Sequence, residues 1–142
     1  MAENQDKAKI MQQKYMEFQL VERQMKQIQA QIEQLESQIA DVVYLQQSLH
    51  ELKNVNTGKG LFVPMGAGIF LDAELKNNSE VLVNVGSGVV VKKTIEGANA
   101  LLENQVTELR GLEEERAQKL AELSETASKT EQELSKLIEA EE

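Results

Sequence analysis

Few residues in this chain have the type and spacing that chemistry requires. His50 is the only histidine, and it has neither a cysteine nor a paired carboxylate at ligand spacing beside it. It therefore reads as a surface residue near a helix end and not as a metal ligand or general base. "GKG" at 58 to 60 lacks the spacing with which a Gly-rich loop cradles phosphate, and "GAGIFL" lacks the third glycine of a dinucleotide loop, so both read as turns. Asn77, Asn78 and Ser79 form a glycosylation sequon, which has no meaning in a cytosolic protein. Cysteine is absent, and with it disulfides, thiolate catalysis and zinc-thiolate sites. No catalytic, cofactor-binding or metal-binding residues are expected, and no enzyme.

The elements that could position other kinds of function come next. The chain has 142 residues, 41% of them apolar and only 4% aromatic, with no Trp, so a large single core is not expected. No window approaches the roughly 18 apolar residues of a membrane span, and the N-terminus carries no apolar leader, which points to a soluble, cytoplasmic protein. Charge is uneven. Residues 1–53 carry 6 basic and 8 acidic groups, 54–94 carry 4 and 3, and 95–142 carry 5 and 13, for net charges of −2, +1 and −8. Such a surface is a poor partner for nucleic acid. An acidic, solvated helix face that keeps the chain in solution is the plain reading of the last segment.

Residues 1–55 read as one coiled-coil helix. Met11, Phe18, Met25, Ile32 and Ile39 hold one seam position, and Val21, Ile28, Leu35, Val42 and Leu49 the other. Near its end, Ile39, Val42, Leu45, Leu49 and Leu52 contain two consecutive steps of three, which predicts a stammer. A helix from Asp6 to Lys53 would be roughly 70 Å long. Residues 95–142 repeat the pattern with Ile95, Leu102, Leu109, Leu123 and Leu137, and with Val106, Leu120 and Leu134. Asn99, Glu113, Arg116, Ala127 and Thr130 also fall on this seam, Glu113 and Arg116 are spaced to pair, and Gly97 and Gly111 are its weak points.

If the chain folds back on itself, residues whose numbers sum to about 148 face each other. That register pairs Ile39 with Leu109, Val42 with Val106 and Ile28 with Leu120, and sets Phe18 and Val21 against the small Thr130 and Ala127. An intrachain antiparallel coil accounts for this better than two separately dimerising coils.

Between the helices, residues 56–94, the apolar period falls to 2. "IFLDAEL", "VLVNV" and "VVVKK" are strand sequence, separated by turns at 64–68, 76–79 and 86–88, with Pro64 expected at a strand end or edge. Two hairpins follow, about 60–64 with 68–75 and 80–85 with 89–93. Isolated hairpins are marginal in water and expose unpaired edges, so they are expected to close with hairpins of neighbouring chains into an intersubunit β-barrel. Ile69, Leu71, Val81, Val83, Val85, Val89 and Val91 are the candidate assembly residues. The fold class is α+β, an antiparallel coiled coil with two inserted β-hairpins.

Coiled coil, then "LFVPMGAGIFLDAELKNNSEVLVNVGSGVVVKKTIEGA", then coiled coil resembles the alpha-class subunits of prefoldin, and the resemblance is motif-specific over residues 61–98. It implies a heterohexamer of two alpha and four beta subunits that holds unfolded polypeptides without nucleotide and passes them to a group II chaperonin. Ile10, Met11, Tyr15, Met16, Phe18 and Leu20 cover more than one face of the first helix, and the adjacent Leu137 and Ile138 cannot both be buried in a seam. With the family in view, Met11, Tyr15, Met16, Phe18, Leu20, Leu137 and Ile138 are the candidate client-binding residues; without it, the same residues merely close the coil and fray. A structural scaffold or filament subunit that binds one specific partner is the alternative.

Overall fold

The computed structural model describes residues 2–140. Two long helices, α1 (Ala2–Leu52) and α2 (Ile95–Glu139), flank four strands, β1 (Gly60–Gly66), β2 (Ile69–Glu74), β3 (Glu80–Gly86) and β4 (Val89–Thr94). Each consecutive strand pair is an antiparallel two-stranded sheet of its own, β1 with β2 and β3 with β4. Two compact units are formed, one from the helix residues up to Ser37 and from Arg110 onward, the other from Gln38–Leu109.

In the first unit the core is the helix seam. Val21, Ile28 and Leu123 are buried, with Met25, Ile32, Leu120 and Ala127 packed against them, and Thr130 is also buried. Lys14 reaches Glu133 at 2.7 Å, an index sum of 147, so the antiparallel register expected near 148 is the one formed. The small Ala127 and Thr130 give room to the larger residues of α1, and Phe18, Met25, Ala127 and Ser128 line a shallow groove of about 350 Å³. The Glu113–Arg116 pairing is not made: Arg116 is exposed and joins no ion pair among the described residues, because a guanidinium loses hydration if drawn into a narrow apolar seam.

In the second unit Ile95, Ala98 and Val106 are buried. Here the stammer is not formed. Leu45 is 46% exposed, and Gln46 takes its place, donating from Nε2 to Glu103 Oε2 at 2.9 Å and to the Asn99 carbonyl at 3.5 Å. The 3,4 spacing thus continues through Val42, Gln46 and Leu49, and the salt bridge Lys53–Glu96 extends it. A polar residue holds the seam because its hydrogen bonds satisfy it there, while Leu45 turns toward β3.

The start of α2 is fixed by Thr94, whose Oγ1 accepts the Gly97 N–H at 3.0 Å. Gly97 is thus a first-turn residue, and a Cβ there would come within 3.2 Å of the capping oxygen. Asn77 Oδ1 accepts from the Ser79 and Glu80 amides and organises the link between the hairpins, while Asn78 Nδ2 donates to the Val55 carbonyl.

Candidate functional site

The hairpins are two copies of one structure. β1 pairs with β2 from Gly60↔Glu74 to Gly66↔Ile69, and β3 with β4 from Glu80↔Thr94 to Gly86↔Val89, the second register being the first displaced by twenty residues. Each carries a bulge just before the turn, after Pro64 and after Asn84, so Pro64 sits beside an irregularity in an edge strand, where its missing N–H matters least. Each turn has positive φ at both central residues, Ala67 with Gly68 and Ser87 with Gly88, the pattern of a type I′ hairpin turn. "GAG" and "GSG" at the same spacing were the signal of this repeat, and period-2 reading alone passes over it.

Register partners share a face of a hairpin. Val81, Val83 and Val91 therefore lie on one face, and Leu71 lies on the equivalent face of the first hairpin with Leu61 and Val63. Val81 and Val83 are half-buried, and with Val85 they line a groove of about 830 Å³ whose other wall is Leu45, Leu49, Ala98 and Leu101. The other assembly candidates, Ile69, Leu71, Val85, Val89 and Val91, are exposed. The opposite faces also expose large side chains: Phe62, Phe70, Leu82 and Val90. A single chain covers one face of the second hairpin only in part and leaves large apolar side chains of both hairpins exposed.

Near the start of α1 and the end of α2, within the first unit, Met11, Phe18 and Leu137 are half-buried on the seam. Tyr15 is 55% exposed, Met16 61%, Leu20 54% and Ile138 52%. The candidates divide, then, into seam residues and side chains outside it. Lys14 and Glu133 bridge the helices among them. Their hydrogen bond holds Lys14 above its usual value and Glu133 below its own, with the direct charge attraction second in each case. Val43, Tyr44 and Leu112 are exposed apolar residues that the seam reading passes over; four apolar residues in a row, "VVYL", were the signal for the first two.

Among the described residues no group of His, Asp and Glu is arranged to hold a metal, and no helix is long and apolar enough to cross a membrane.

The prefoldin subunit family model matches residues 21–140. Prefoldin subunit alpha of Methanobrevibacter smithii is 43% identical over 82 residues, 58% of this chain and 56% of that protein. The Methanosphaera stadtmanae alpha subunit is 38% identical over 61% of this chain and 62% of its own length. That of Archaeoglobus fulgidus is 24% identical over 89% and 92%. The first two matches therefore span somewhat over half of those relatives. A filamentous prefoldin from Methanocaldococcus jannaschii shares the fold, with a TM-score of 0.71 at 23% identity, over 78% of this chain and 92% of that one. With the family model matched over most of its length, and with curated relatives that are alpha subunits, the chain belongs to the prefoldin subunit family.

Proposed function

We propose that the chain is a subunit of a nucleotide-independent chaperone, which captures unfolded polypeptides at the open end of the coiled coil and releases them to a group II chaperonin in the cytoplasm. Residues 56–94 are the assembly module, joining beta subunits in a heterohexamer of two alpha and four beta chains through an intersubunit β-barrel. Residues 1–55 and 95–142 are the arms that carry the client surface. Tyr15, Met16, Leu20 and Ile138 contact clients directly, and Met11, Phe18 and Leu137 contribute as the seam opens or frays.

One observation carries this reading. Besides Val43, Tyr44, Leu45 and Leu112 along the helices, the uncovered apolar side chains form one group on the hairpins and one at the helix ends, and a globular fold would have no use for either group. Flexible Met and aromatic side chains suit clients of varied sequence, since they repack against whatever they meet. Affinity then comes from several arms on one flexible chain, with effective concentration in place of tight single-site binding. The test is suppression of aggregation of several unrelated unfolded proteins by the chain purified with its co-expressed beta partner. Equal protection with ATP, without it and with a non-hydrolysable analogue is expected, and a clear ATP requirement would overturn the reading.

A filament or scaffold subunit is the second reading, favoured by the filamentous assembly of the structural relative and by the open hairpin edges. It predicts saturable binding of one folded partner and no general protection.

A further inference from the structure

The buried residues of α2 are unevenly spaced. Among the described residues they are Ile95, Ala98, Val106, Leu123 and Thr130, so the interval between Val106 and Leu123 holds none. Within the first unit this interval includes Arg110–Lys119, where every residue is exposed except the half-buried Glu113. The seam positions of that stretch are Glu113 and Arg116, and neither joins an ion pair among the described residues. Its one large apolar residue, Leu112, is exposed, and nothing lies within 4 Å of a Cβ built on Gly111. The mismatch is one-sided. In the register that the Lys14–Glu133 bridge marks, α1 sets the half-buried Ile32 and Leu35 across from this charged stretch. Ile32 still packs against the core of Val21, Ile28 and Leu123, whereas Leu35 is not part of that cluster.

We infer that α2 is a helix with a built-in weak segment, which opens locally over Arg110–Lys119 and uncovers Leu35 while the Val21–Ile28–Leu123 core stays closed. Local opening is easiest where few apolar contacts are buried, and here α2 buries none. A carboxylate and a guanidinium gain hydration by leaving an apolar seam, and a glycine inside the helix lowers the cost of unwinding it. Ordinary fraying runs the other way: it would begin at the helix end, Glu139, and reach Lys119 only after Thr130 and Leu123 had left the core. The inference rests neither on client capture nor on assembly through the hairpins.

The test is hydrogen–deuterium exchange of the full chain in complex with its co-expressed beta partner, read by mass spectrometry of α2 peptides. After correction for intrinsic rates, amides of residues 110–119 are expected to exchange about tenfold or more faster than those of residues 120–130. Glu113→Leu with Arg116→Leu completes the apolar seam and should bring the two stretches to within about threefold of each other. Gly111→Ala leaves the seam as it is and should slow the segment in part, which keeps the test intact if the double variant fails to fold. Gln118→Leu, on the exposed face of α2 away from the seam, should change nothing. Equal exchange over the two stretches in wild type, no slowing in the seam-filled or Gly111→Ala chain, or equal slowing by Gln118→Leu would each overturn the inference. No client is present, so these outcomes are separate from any failure of the aggregation assay.

Discussion

At the scale of single residues, the Lys14–Glu133 pair is a rung across the end of the coil, and its effect should follow pH. Glu133 titrates below its usual 4.5 in the folded chain, so its contribution is present above that value and is lost as pH falls through the folded one. Lys14 titrates above its usual 10.5, so its contribution is present below that value and is lost as pH rises through the folded one. Glu133→Gln should therefore lower the melting temperature slightly near neutral pH, and the difference from wild type should shrink and vanish as the pH falls through the lowered folded value. Both side chains are solvated, which keeps the effect small. Thr94 belongs to the same scale. Its hydroxyl caps α2, and Thr94→Ala is expected to cost about 1 kcal/mol in denaturant unfolding. Composition marked Gly97 as a weak point of the helix; its place three residues after the cap explains why glycine stands there.

At the scale of elements, the helices and strands were largely legible because each has a period. Ten α1 seam positions from Met11 to Leu49 are all buried or half-buried, as the heptad reading expects. The strands fall where the apolar period drops to 2 and Gly-containing turns break it. What could not be read was Gln46 in place of Leu45, since an apolar count favours leucine and cannot see an Asn99 carbonyl and a Glu103 carboxylate waiting across the seam. Gly111 is the remaining weak point of α2, exposed and with nothing within 4 Å of an added Cβ. Gly111→Ala should raise stability by roughly 0.5–1 kcal/mol, read by thermal unfolding. Val83 and Val85 test the hairpin. Replacing both with Asp should leave helix content intact and abolish full-size complexes by light scattering, since a barrel-facing position would then carry unpaired charge.

At the scale of the whole molecule, the account gives the chain two surfaces with different jobs. The family could be recognised from the central motif, and the division of the end residues could be read from the heptad phase, which puts Met11, Phe18 and Leu137 on the seam and leaves Tyr15, Met16, Leu20 and Ile138 outside it. The most direct measurement is aggregation suppression by the intact complex against one whose alpha chain lacks residues 1–18 and 131–142. The account predicts unchanged stoichiometry by mass and loss of most of the protection. A truncated complex that protected unfolded clients as well as the intact one would contradict it and move the client surface to the inner faces of the coils or to the barrel.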